Sequence, residues 1–352
     1  MGSAETADLL LLIRLRDGNS TMLMGPQSHQ SSGLRVLQRR MPTIPYRAAN
    51  FSGAFAQLNT NNTEISVAWA QLVWAAITAG KAAGDEYAYG IYSTLERLHR
   101  ASMIRAYLMQ TASGHIVRTM PYRLSDPSEK TSISFYLGMT LAKLFAELLF
   151  DVPRMLHFAV YAPNYQIVAA PGESRPDLIG LSNTGEWFVF EAKGRSNNFD
   201  PDALGTAKEQ AEQIQLIDNL IPACSVACQA YFTSVLRFRM DDPPPRKSDR
   251  PRTIKISQAD FRHAYDGPIR SVIELRGANA TLSYANRRFR GARVEEADLW
   301  IGAPEADQTT LVKSEADPIT HDEYLGGDDV LVRLGPTWSE ANMRLQPHLR
   351  NT

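Results

Sequence analysis

The sequence predicts an α/β fold, a mixed central sheet flanked by helices, and three stretches carry that prediction. Two apolar runs between Arg175 and Gly194 flank Asn183-Thr184-Gly185, a three-residue loop with glycine last. That pattern joins antiparallel strands through a type I turn closed by a left-handed residue. Upstream, Leu137, Leu141, Leu144, Phe145 and Leu148 form a wide apolar stripe at helical spacing. Downstream, Asp200-Pro201 supplies an N-cap and a proline at the first helical position.

The elements follow in chain order. Residues 1–125 read as a mostly helical N-terminal region. Residues 8–15 fit a strand or a short helix, and the Gln- and Ser-rich stretch 25–33 fits a loop. Asn61-Asn62-Thr63-Glu64 reads as a helix cap before the apolar pattern Val67, Ala70, Leu72, Val73, Ala76, and a second helix covers residues 93–110. Residues 126–240 form the core. Its first helix runs from Ser132 or Ser134 to Phe150, where Val152-Pro153 ends it. Residues 156–161 are the first strand, and 166–170 continue or flank the sheet. The helix from Pro201 buries Leu204, Ala207, Ala211, Ile214 and Ile217, and residues 224–233 supply the fourth strand. Asp242-Pro243-Pro244-Pro245 opens a stiff, charged linker. Residues 241–352 then form a mixed, sheet-rich region with strands at 269–275, 280–284, 299–302 and 330–334.

Composition narrows the functional class. At 352 residues the chain has room for two domains or one enlarged one. With 44% hydrophobic and 21% charged residues it is globular. Net charge is −1, from 37 basic and 38 acidic residues, so any basic footprint must be local. Cys224 and Cys228 stand about 13 Å apart on a strand, too far to bridge, and read as buried thiols of a reducing, cytoplasmic compartment. Residues 9–13 are too short for a secretory core, and residues 65–79 fall short of a membrane span, so no membrane partner is expected.

The hairpin concentrates chemistry. If Ser182 pairs with Glu186, Asp177 lies across from Glu191, and opposed side chains share a face with Cβ atoms about 4.5–5.5 Å apart. Lys193, two residues beyond Glu191, shares that face. Two close carboxylates repel unless one takes a proton or a cation stands between them. Mg²⁺ is typically held by one or two carboxylates and leaves positions open for phosphate oxygens. The lysine would stabilise developing negative charge or help deprotonate a metal-bound water. Phosphodiester hydrolysis is the chemistry this set suits. The bland alternative is a solvated cross-strand ion pair, worth little.

Pro176-Asp177 followed by Glu191-Ala192-Lys193 resembles the PD-(D/E)xK phosphodiesterase superfamily, with its restriction-endonuclease-like fold. The context of helix, strand, hairpin, helix and strand spans residues 132–233, about a third of the chain. The resemblance implies a metal-dependent nuclease, an endonuclease ahead of an exonuclease, of restriction, repair or defence type. It implies Mg²⁺ or Mn²⁺ bound by Asp177, Glu191 and the Ala192 carbonyl, with Lys193 beside the attacking water. The superfamily often adds a glutamate from the first helix, and Glu147 is the candidate; its alternative is an i,i+4 pair with Lys143. Lys208 or Gln210 would contact phosphate or hold a carboxylate, or else form the wet face of their helix. The expected partner is nucleic acid, DNA ahead of RNA, and two-strand cleavage would favour a homodimer.

The competing class is a non-catalytic nucleic-acid-binding or scaffolding protein that keeps this fold. One further feature bears on both. Arg287, Arg288, Arg290 and Arg293 cluster around Phe289, a strip suited to phosphates and stacking. Residues 294–330 carry eleven acids against Lys313 alone, and these could instead neutralise that strip within the molecule. His321-Asp322-Glu323 lacks a second spaced partner and reads as an exposed loop rather than a metal site.

Overall fold

The computed structural model describes residues 41–80, 91–158, 175–242, 252–305 and 322–339. All lie in one compact unit, Arg39–Thr352. The readings made above for residues 8–15, 25–33 and 166–170, for prolines 243–245 and for His321 fall outside the described residues.

A mixed seven-stranded sheet lies at the centre. Its strands are β1 (Thr43–Ala49), β2 (Thr60–Ser66), β5 (Arg154–His157), β6 (Leu178–Leu181), β7 (Trp187–Gly194), β9 (Cys224–Phe232) and β10 (Leu236–Asp241). Their order is β2-β1-β10-β9-β7-β6-β5, with β1 parallel to β10 and β9 parallel to β7. The short ribbon β3 (Leu108–Gln110) and β4 (Ile116–Arg118) stands apart, as does the parallel pair β8 (Ile214–Ile217) and β11 (Arg252–Ile254). The hairpin register is the one the loop dictates: Leu178 pairs with Phe190 and Leu181 with Trp187, while Gly185 takes φ +87°.

Alternation along β7 sets the two faces. Phe188, Phe190 and Ala192 point into the main core, and Trp187 and Val189 into a second cluster on the opposite face. Six α-helices are described: α1 (Trp69–Thr78), α2 (Ile91–Tyr107), α3 (Met120–Leu124), α4 (Pro127–Phe150), α5 (Pro201–Ala211) and α6 (Gln258–Leu275). Helix α4 starts with Asp126 capping Ser128 N at 2.8 Å and Glu129 reaching back to Asp126 N at 3.0 Å. Leu137, Leu141, Leu144 and Phe145 pack it on the first face. Its length and apolarity would suffice to cross a bilayer, but most of that surface is buried within the protein. On the second face, Asp200 caps Ala203 N at 2.9 Å, and Leu204 and Ala207 of α5 pack on Ala227.

The last layer is an antiparallel sheet of β12 (Ala280–Tyr284), β13 (Arg287–Val294), β14 (Leu299–Pro304), β16 (Leu331–Leu334) and β15 (Glu323–Leu325), in that order. It packs against α1, on the α4 side of the central sheet. A buried polar clasp joins these layers. Lys143 of α4 is fully buried between the Trp74 and Tyr265 rings, at 4.5 and 4.6 Å from their centroids. Its ammonium donates to Tyr265 Oη at 2.6 Å and to the Pro153 carbonyl, with Asp328 at 3.9 Å. Asp328 in turn accepts from Trp74 Nε1 at 3.0 Å and Tyr265 Oη at 2.6 Å.

Four sequence expectations are corrected. Residues 61–64, expected as a helix cap, lie inside the edge strand β2. Its mostly exposed polar residues hide the strand period, because neither face is buried. Together with β1 they place part of the expected helical N-terminal region in the central sheet. Residues 269–275, expected as a strand, are the end of α6. Ser257 caps that helix, and Phe261, Tyr265, Ile269 and Val272 line its buried side, a period interrupted in sequence by Gly267-Pro268. Ile214 and Ile217 belong to β8 rather than to α5, which ends at Ala211. Residues 108–110 leave the second helix and form β3.

Candidate active site

The end of β7 gathers the three charged residues. Asp177 sits just before β6 and continues the hairpin register opposite Glu191. The two are tied by main chain to side chain bonds in both directions. Asp177 N–H donates to Glu191 Oε2 at 2.8 Å, and Ala192 N–H donates to Asp177 Oδ2 at 3.0 Å. Lys193 Nζ donates to Glu191 Oε1, and to Gln210 Oε1 at 2.6 Å. Gln210 reaches from α5 and anchors its other end on the Arg175 carbonyl at 3.2 Å. The residue fixing the lysine therefore comes from the helix laid across this face.

Burial is uneven. Glu191 is 1% exposed, whereas Asp177 and the Lys193 side chain are partly open, the latter 26% exposed. Burial first, and then the Asp177 charge, push the Glu191 carboxyl up to about 8. Lys193 and the Asp177 amide oppose that rise without overcoming it. Cys228 lies behind, its thiol against the Glu191 carbonyl at 3.3 Å and held well above the usual thiol range by burial and by both carboxylates.

The donor set suits a hard divalent cation. The two carboxylates lie on one face, each bonded to the other strand's backbone, and each oxygen that accepts an N–H retains a second lone pair. Among the described residues no group of three or more Asp, Glu, His or Cys side chains converges as a metal site. Further coordination would fall to the Ala192 carbonyl, water and substrate oxygens.

Not every candidate arrives here. Glu147 points to the other end of α4, where it accepts from Tyr324 Oη at 2.5 Å and Gly327 N at 2.9 Å. It lies nine residues beyond Gly138, the point at which α4 touches Lys193 and Gly194, or about 13 Å along the axis. Lys208 pairs with Asp241 at 2.8 Å and pins α5 to β10. Arg287 pairs with Asp329 at 2.8 Å, and Arg293 lies 3.6 Å from Asp298 and over the Trp300 ring. Arg288 and Arg290 are exposed. All four belong to the last sheet, beyond α1 and across the central sheet from Glu191.

Sequence reading passed over two features of this face. Gln229, fully buried, ties the start of α5 to the sheet by bonds to Asp200 N and O at 2.8 and 2.9 Å. A lone amide inside the apolar run 224–232 was its signal. Leu236-Arg237-Phe238-Arg239-Met240 alternates apolar and basic residues, the mark of a strand with one cationic face. No family model, curated protein or solved structure matches the chain.

Proposed function

We propose that this protein is a metal-dependent nuclease with a restriction-endonuclease-like core, hydrolysing phosphodiester bonds at Asp177, Glu191 and Lys193. One observation carries the reading: Asp177 and Glu191 meet on one face at the end of β7, with Lys193 held against them. A divalent cation bound there would supply charge against the developing phosphorane and acidify a water. Asp177 and Glu191 would hold it, and its charge would replace the proton that burial favours on Glu191. Lys193, on the same face beside them, would place its ammonium where negative charge grows on the phosphate. Gln210 keeps the ammonium oriented while this happens.

A second reading draws on the same geometry. Lys193 is bonded to two protein groups, and Glu191 is sealed from solvent, as in a purely structural clasp of a nucleic-acid-binding protein without catalysis. The test is incubation of the full chain with plasmid, linear duplex, single-stranded DNA and RNA in Mg²⁺, Mn²⁺ or EDTA. Cleavage that EDTA, Asp177→Asn and Glu191→Gln each abolish is expected. Absence of cutting in every metal, with a melting temperature indifferent to Mg²⁺, would hand the site to the structural reading.

A further inference from the structure

The Lys193 face of the central sheet continues past α5 as a row of cations. Strand pairing sets Lys193 beside Gln229, Gln229 beside Arg239, and Arg239 beside Arg47, on four successive strands. Paired residues share a face, so these side chains stand on one side of the sheet. At about 4.8 Å per strand, Arg239 lies about 10 Å and Arg47 about 14 Å from the lysine position. In the next row Arg237 pairs with Tyr231. The neighbours of these residues on β10, Leu236, Phe238 and Met240, are buried on the α4 side, which fixes the arginines outward.

These cations are available. Arg47, Arg237 and Arg239 have no acidic partner among the described residues, while Arg195 pairs with Asp200 and Lys208 with Asp241. Asp241, two residues from Arg239 on this face, has its charge met by Lys208 and also accepts a hydrogen bond from the Asn50 amide at 2.6 Å. Glu64, on the outer edge strand, is taken by His115 at 2.9 Å. Arg47 is exposed, and Arg237, Arg239 and Tyr231 are half-buried. Aromatic rings are interleaved with the charge. Arg239 lies over Phe199, 4.5 Å from its centroid, and Phe199 packs on Tyr231 at 5.5 Å.

We infer that this face, with Arg47, Arg237 and Arg239 around Tyr231 and Phe199, binds a single strand of nucleic acid and leads it to Lys193. Cations spaced along one direction suit a phosphate backbone, and flat rings among them suit unstacked bases. A duplex conceals its base faces, so the rings would find nothing to stack on. The arginines of β13 lack this arrangement, because Arg287 and Arg293 are already engaged by Asp329 and Asp298. The inference deepens the nuclease reading, from which it takes only the end of the strip at which cutting occurs.

The test uses the full chain and a fluorescent thymidine oligomer of about 16 nucleotides, the upper end of what one such surface holds. A uridine oligomer and a duplex of equal length run beside it. Binding is followed by anisotropy across a salt series, in Ca²⁺ to suppress cutting. Alanine at Arg47, Arg237 and Arg239 together should weaken single-strand binding about tenfold or more and reduce the salt slope by about 2. Arg47→Glu, at an exposed position that does not threaten the fold, should weaken it in the same sense. Arg288→Ala with Arg290→Ala should leave it near the parent. Parental binding by the triple variant and by Arg47→Glu would overturn the inference, as would a parent that binds only duplex or no nucleic acid. Single-strand binding through the strip without cleavage in any metal would sink the nuclease reading and leave the strip standing. Cleavage that ignores both sets of arginine variants would do the reverse.

Discussion

The main chains of Gly194 and Ser134 lie so close that a Cβ on Gly194 would stand 1.7 Å from the Ser134 carbonyl oxygen. One helical turn on, a Cβ on Gly138 would lie 3.0 Å from the Lys193 carbonyl and the Gly194 nitrogen. Two glycines thus let α4 rest directly on the backbone that carries Lys193. Gly194→Ala should prevent folding or lower the denaturant midpoint severely, since backbone cannot retreat by that distance. Gly138→Ala should cost about 1–3 kcal/mol, the usual range for overpacking. By shifting the lysine it should also slow single-turnover cleavage by up to about 10²-fold. Parental rate and stability in Gly138→Ala would show that the contact does not position Lys193.

Lys193→Ala should reduce single-turnover cleavage by about 10²–10³-fold while both carboxylates keep their metal. Gln210 acts through the lysine, so Gln210→Ala should cost less. Its effect should also vanish in the Lys193→Ala background. Independent, additive losses in the double variant would mean that Gln210 has a separate task.

Glu147→Ala should behave in the opposite way. It leaves Tyr324 Oη and Gly327 N–H without their buried acceptor, at about 1–3 kcal/mol of stability. Under saturating protein its cleavage rate should match the parent. A rate loss beyond that explained by the folded fraction would return Glu147 to the reaction.

Lys143 offers a test by pH. Burial lowers its ammonium to about 8, against the pull of Asp328, Glu147 and Asp266 and with the push of Arg154. The unfolded value is about 10.4, so between the two the unfolded chain holds more protons. The contribution of Lys143 to stability should therefore rise from pH 8 to about 10.4 and stay constant below 8. At pH 7, Lys143→Met should destabilise by about 3–5 kcal/mol, because Asp328 is left as a lone buried charge. Adding Asp328→Asn should recover much of that loss. Urea unfolding of the parent, the single variant and the double variant at pH 7 and pH 9.5 measures both effects. A Lys143→Met protein as stable as the parent would remove the ion pair from the clasp.

What the sequence disclosed was local. Asn183-Thr184-Gly185 sets the hairpin register by itself, so the meeting of Asp177 with Glu191 and Lys193 could be read without any tertiary knowledge. Asp200-Pro201 marked α5 for the same reason. Glu147 could not be placed that way. Its nine-residue offset from Gly138 turns it about 180° around the helix, and only the contact of Gly138 with Lys193 reveals which end matters. The partners of Lys143 and Arg287 were equally illegible, since Asp328 and Asp329 approach from a distant loop. The cationic alternation of β10 was visible, but its direction became meaningful only once β10 stood two strands from β7.

The parallel pairing of β1 with β10 also governs when the molecule can be completed. Asn50 and Asp241, bonded across that seam, are 191 residues apart in the chain. During vectorial synthesis the β1–β2 hairpin emerges early and must wait for β9 and β10 before it finds its place. Closure of so long a loop is slow, and the waiting strands offer bare hydrogen-bonding edges meanwhile. A fragment trimmed to residues 126–240 would carry the same liability permanently, with β10 turned into an open edge inviting association between chains. The smallest piece of this sequence that keeps the seven-stranded sheet closed therefore begins no later than Thr43, although Asp177, Glu191 and Lys193 lie more than a hundred residues downstream.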